Sequence, residues 1–171
     1  ETLTLTPGSS GPGDAITCTV TATDGYGGTG ENSAAVEVEN TEPSFSVEAT
    51  ISPSTGVTTS SDLLCSATAS DADGGTPELS FAWLNVTTGA SLGSVEAITL
   101  TAVTSSPEDE INCTVTATDS DEGTATSAAT VEVENTLPTI EITAPAADTV
   151  VNDGTTVTFA ATVSDDDDDE S

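Results

Sequence analysis

Apolar and polar residues alternate with period two along most of this chain, most clearly in Thr17-Cys18-Thr19-Val20-Thr21-Ala22-Thr23. Cys18, Val20 and Ala22 fall on one face and threonine on the other, and β-branched threonine suits a solvated strand surface. Residues 112–118 repeat the pattern with Cys113, Val115 and Ala117 inside. Val36-Glu37-Val38-Glu39 and Val131-Glu132-Val133-Glu134 follow the same logic with acidic outer faces. These are signatures of half-buried antiparallel strands. Clusters of Gly, Pro, Asp and Ser separate them at the spacing of a β-sandwich, and no segment reads as a helix. One complete module reads from about Thr41 to Thr136. Its strands are predicted at 44–51, 62–70, 79–85, a short crossing strand at 91–95, then 97–103, 110–118 and 125–134.

The alternation recurs because the sequence recurs. Glu1–Pro43 matches Glu96–Pro138 without a gap at an offset of 95 positions, so that Cys18 meets Cys113, Asn40 meets Asn135 and Pro43 meets Pro138. A fixed period of this size marks a tandem array whose work is done by repetition. The fold class expected is all-β, with antiparallel sandwich modules of about 95 residues. The boundaries follow: residues 1–40 read as the last three strands of a preceding module, 41–136 as a complete one and 137–171 as the first two strands of a following one. Thr156–Asp165 aligns on Asp62–Asp71, which puts Phe159 where Cys65 stands.

Charge narrows the function. The 171 residues hold 30 Asp and Glu and no Lys, Arg, His or Met, for a net charge of −30. Nucleic acid is excluded as an electrostatic partner, because nothing here neutralises phosphate, and the same argument excludes anionic membrane surfaces. No apolar run approaches a transmembrane length and no signal-peptide pattern is present. The natural partners are cations, or surfaces reached through cations. Catalysis is not expected: acid and base work would fall to carboxylates alone, and these sit on outer strand faces or in turns rather than in an apolar pocket. No serine has a base to activate it.

Cys65, Trp83 and Cys113, on the second, third and sixth strands of the complete module, resemble the Cys-Trp-Cys order of the immunoglobulin fold, in which the tryptophan packs on a disulfide between the sheets. The resemblance implies an immunoglobulin-like module with a Cys65–Cys113 disulfide, worth roughly 4 kcal/mol on the loop-entropy account. Cys18 is then left needing a partner on an upstream strand, and oxidised pairing implies an extracellular or cell-surface location. Ala67–Gly75 also resembles the segment leaving the second strand of polycystic-kidney-disease and cadherin-like repeats, and Phe81-Ala82-Trp83 resembles the third strand of the former. The Gly-Asp-Gly that usually follows that tryptophan is replaced by Leu84-Asn85-Val86.

The cadherin-like resemblance implies Ca²⁺ at the module junctions. Asp71 and Asp73 from one loop, Asp119 and Asp121 from another, and Glu39, Asn40 and Glu42 from the linker converge at one end of the module. The next junction offers Glu134, Asn135, Asp165 and Asp167. Ca²⁺ takes six to eight hard oxygen ligands from such loops. Asp-rich loops are also ordinary turn chemistry, and an acidic surface keeps an exported protein soluble, so both readings stand at this level. The Asp165–Glu170 run reads as a longer loop of the same type or as a solvated acidic tail. Asn85-Val86-Thr87 and Asn112-Cys113-Thr114 fit the N-glycosylation pattern, Asn85 being the better candidate of the two, but the reading preferred for both is chance matching in a Thr-rich chain.

The function expected is structural: a segment of a secreted or cell-surface stalk, adhesin or filament, stiffened by disulfides within modules and by cations between them. Its partners are neighbouring modules of the same chain, and like chains in a filament. The alternative is a spacer or substrate-binding array of a secreted hydrolase.

Overall fold

The computed structural model describes residues 1–167 and is all-β. Eleven strands form four sheets among the described residues. β1 (Ala15–Thr23) pairs with β2 (Thr29–Glu37), and β10 (Thr139–Ala144) with β11 (Ala160–Ser164), each as an antiparallel two-stranded sheet. β3 (Ser44–Ser52), β4 (Asp62–Ser70) and β7 (Ala97–Thr99) form a three-stranded sheet in the order β3-β4-β7. β5 (Glu78–Asn85), β6 (Ala90–Gly93), β8 (Glu110–Thr118) and β9 (Thr124–Glu132) form a four-stranded one in the order β6-β5-β8-β9. No helix long and apolar enough to cross a membrane occurs among the described residues.

The described residues form two compact units, one of residues 1–49, 67–80 and 115–127, the other of 50–66, 81–114 and the described residues from 128 on. The division falls within β3, β4, β5, β8 and β9. The second unit holds most of the core: Ile51, Leu63, Trp83, Leu100, Ile111 and Val133 are buried there. In it Cys65 of β4 and Cys113 of β8 are joined by a disulfide of 2.03 Å. Trp83 is equally buried, its indole N–H donating to the carbonyl of Val95 at 2.9 Å, which satisfies the one polar atom of that side chain. Period-two alternation explains the pattern on β8, where Ile111, Cys113, Val115 and Ala117 are all fully buried and the residues between them are not.

Several strands differ from the sequence expectation. β7 ends at Thr99 rather than 103, because Thr101–Ser105 close a turn: the N–H groups of Thr104 and Ser105 donate to Thr101 O, and the Thr104 hydroxyl accepts from the Thr101 N–H at 3.0 Å. Alternation carries no warning of a hydroxyl that offers the backbone this alternative. The crossing strand expected at 91–95 lies at 90–93 and pairs with β5 at the edge of the larger sheet. Residues 2–8, expected to copy the 97–103 strand, form none, and of 156–165 only 160–164 is a strand. A strand exists only where its N–H and C=O groups find a partner.

Candidate functional site

The acidic loops of the first unit meet the linker in a hydrogen-bonded cluster. Asp71 leaves β4, and its Oδ1 accepts the N–H of Asp73 at 2.6 Å in an Asx turn. Asp73 Oδ2 accepts the backbone N–H of Thr41 at 2.6 Å, and the Thr41 hydroxyl lies 3.4 Å from Oδ1. Asp119 closes the turn after β8 by accepting the N–H groups of Asp121 and Gly123 at 2.9 and 2.7 Å. Its other oxygen takes the Asn40 amide at 3.0 Å. Gly123 is required by this approach: a Cβ there would stand 2.6 Å from Asn40 Nδ2 and closer still to Asp119 Oδ2.

The Asn40 amide, then the backbone N–H groups of Gly123 and Asp121, hold the Asp119 carboxyl below its ordinary value against the opposing effect of desolvation. Asp71 Oδ2 is buried with no hydrogen-bond partner. An unpaired carboxylate oxygen beside a second carboxylate is costly unless a cation or a proton meets it.

The second linker repeats these bonds in the second unit. The backbone N–H of Thr136 donates to Asp167 Oδ2, as does its hydroxyl at 2.8 Å, and the hydroxyl lies 3.3 Å from Asp165 Oδ1. The Asp167 N–H donates to Asp165 Oδ1 at 3.1 Å, as Asp73 does to Asp71. Desolvation pushes the Asp167 carboxyl up, but the Thr136 N–H, the Thr136 hydroxyl and the Thr59 hydroxyl outweigh it and leave it below its ordinary value. The turn bonds recur as well: Asp24 accepts from Tyr26 and Gly28 as Asp119 does from Asp121 and Gly123, and the Gly13 N–H donates to Val38 O and the Val38 N–H to Asp14 O, as the Glu108 N–H does to Val133 O and the Val133 N–H to Asp109 O.

Of the predicted ligands, Asp71, Asp73, Asp119 and Asn40 come together in the first unit, and Asp165 and Asp167 in the second. The rest do not join. The Asp121 side chain is exposed and accepts from Ser120, while Glu39 and Glu42 are exposed and make no hydrogen bond to the network. Glu134 instead accepts the Gly56 N–H at 2.7 Å, and Asn135 donates to the Thr136 carbonyl. Among the described residues no set of three or more His, Cys, Asp or Glu side chains is gathered to hold a metal. Asp168, Asp169 and Glu170 of the terminal acidic run lie outside the described residues.

The Asn85 sequon falls on a buried side chain. Asn85 is completely buried, and its amide nitrogen, the atom a glycan would occupy, donates to Thr104 O at 3.2 Å and Asp109 Oδ2 at 2.7 Å. Its carbonyl accepts the Thr88 N–H. Asn85 is a structural polar residue tying β5 to the loop before β8. Sequence reasoning also passed over Thr41 and Thr136, which make the linker bonds; the signal available was an Asn-Thr pair at both linkers followed by Asp-x-Asp after the next strand pair. Cys18 is exposed and free.

Comparison with known proteins finds no family model that matches the chain and no curated protein that matches it.

Proposed function

We propose that the chain is a structural segment of a secreted or cell-surface stalk, adhesin or filament, built of tandem immunoglobulin-like modules of about 95 residues. The observation that carries this reading is the recurrence of one linker clasp, Thr41 on Asp73 and Thr136 on Asp167. A joint whose backbone is tied by the same bonds at each repeat resists bending, whereas a flexible spacer leaves its linkers solvated. The Cys65–Cys113 disulfide supports an oxidising compartment.

Ca²⁺ enters this reading through the orphaned Asp71 Oδ2. Asp71 and Asp119 would hold the ion in the first unit with Asp73 and Asn40 beside them, and Asp165 and Asp167 are the corresponding acids at the second linker. The ion would supply positive charge that a chain of −30 lacks. The test is small-angle scattering of the chain with Ca²⁺ and with chelator at fixed ionic strength, alongside calorimetric titration. The expected result is Ca²⁺ binding with an increased maximum dimension. A compact chain in both conditions would overturn the stalk, and an extended chain with no binding heat would overturn the ion alone.

A further inference from the structure

The chain holds three Asp-Gly pairs, Asp24–Gly25, Asp73–Gly74 and Asp153–Gly154. In such a pair the glycine nitrogen can attack the aspartate carboxyl carbon, because no Cβ on the second residue hinders the approach. The three carboxyls are held differently. Asp24 Oδ1 accepts the N–H groups of Tyr26 and Gly28 at 2.9 and 2.8 Å, so it is tied inside its own turn. Asp153 is exposed in the turn that the Thr155 N–H closes on Asn152 O. Asp73 is held from outside its turn, by the linker: Oδ2 takes the Thr41 N–H at 2.6 Å and Oδ1 lies 3.4 Å from the Thr41 hydroxyl.

The glycine of the Asp73 pair is open to reaction. Gly74 is exposed, has a φ of +104°, and its nitrogen takes part in none of the turn hydrogen bonds among the described residues. What restrains the pair is the clasp. While Thr41 holds the carboxylate, its carbon is not free to turn back onto the chain.

We infer that Asp73–Gly74 is a self-modification site gated by the linker clasp: when Asp73 leaves Thr41, the residue converts to isoaspartate and the release of that linker becomes permanent. The Gly74 nitrogen forms a bond to Asp73 Cγ, the nitrogen loses its proton, and a carboxyl oxygen leaves as water. Water then opens the five-membered ring. Where it breaks the original peptide bond, the main chain runs through Cγ, one methylene longer, and the free carboxylate sits on Cα. One water leaves and one returns, so mass is unchanged and no co-reactant is needed. The side chain that reached Thr41 has become backbone and cannot refasten. The second linker lacks this chemistry, because Asp167 is followed by Asp168 rather than glycine. The inference rests on the clasp and goes beyond the stalk reading.

The test incubates the unaltered chain at neutral pH, beside a peptide of residues 69–77, and maps isoaspartate by mass spectrometry with fragmentation that separates the two linkages. Isoaspartate at position 73 should form at least about tenfold more slowly in the chain than in the peptide, by the same factor that protects the Thr41 amide from exchange, since one opening governs both. This comparison needs no variant to fold. In Thr41→Pro, which lacks the N–H, the rate at Asp73 should rise at least about tenfold toward that of the peptide while the rate at Asp24 stays unchanged. Conversion at the peptide rate while Thr41 remains protected overturns the inference and leaves the clasp and the stalk reading standing. So does a Thr41→Pro chain in which neither Asp24 nor Asp73 reacts faster. An unprotected Thr41 amide in the unaltered chain overturns both the inference and the clasp.

Discussion

Asp73 Oδ2 takes the backbone N–H of Thr41 at 2.6 Å, and one repeat later Asp167 Oδ2 takes the backbone N–H of Thr136. In both places the acceptor is held by an Asx turn two residues earlier in the chain, on Asp71 or Asp165. The linker is thereby ordered from outside itself, by a loop 32 or 31 residues further on.

Removing one acceptor should release one linker and spare the rest. In Asp73→Ala, exchange of the Thr41 amide rises roughly tenfold or more, since local opening then costs no hydrogen bond. The Thr136 amide and the urea midpoint stay unchanged, because most of the core residues lie in the other unit. Equal loosening of both linkers, read by amide exchange, would contradict independent clasps.

The pH dependence follows from Asp119 and Asp167, both held below the ordinary value of 3.8 in the folded chain. A depressed carboxyl stabilises the fold fully above its unfolded value and ceases to do so as the pH falls through its folded value. The joints should therefore be insensitive to pH near neutrality and loosen only below about 3.8. Carbon-13 titration of the two carboxyls reads this directly; midpoints at or above 3.8 would contradict it.

The disulfide should dominate the stability of the module. Cys113→Ser with Cys65→Ser is expected to lower the unfolding free energy by roughly 4 kcal/mol, while Cys18→Ser changes it by less than about 0.5 kcal/mol. Trp83, the single tryptophan, reports both in urea titrations. A loss of similar size in the two cases would contradict the assignment.

Asn85→Ala leaves Thr104 O and the Thr88 N–H without partners and Asp109 Oδ2 with only the Ser106 N–H, and should cost roughly 1–3 kcal/mol. The unaltered chain made in a glycosylating host should carry no glycan on Asn85. An intact-mass increment mapped to that residue would overturn its buried role.

The strands of the middle of the chain are legible because their alternation is strong: the 62–70 and 110–118 predictions coincide with β4 and β8, and the Cys65–Cys113 pairing suggested by the immunoglobulin resemblance is present. The turn that stops β7 at Thr99 is not legible, because Thr101 and Thr104 have the same pattern value in a strand as in a hydroxyl-capped turn. The burial of Asn85 is not legible for a related reason. Its sequon is a local string, whereas its burial depends on Asp109, 24 residues away. The acid cluster is half legible: loop position brings Asp71, Asp73 and Asp119 together, but the choice of Thr41 over Glu39 and Glu42 as the linker contact depends on backbone direction, which composition does not encode.

The central claim, that each linker is fastened by the same clasp, is tested most directly by amide hydrogen exchange at Thr41 and Thr136 in the unaltered chain at neutral pH. The account predicts that both are protected at least about tenfold relative to an open amide, that protection at each persists when the other is released by Asp73→Ala or Asp167→Ala, and that both are lost in acid. Exchange of either amide at the rate of an unstructured peptide would contradict it.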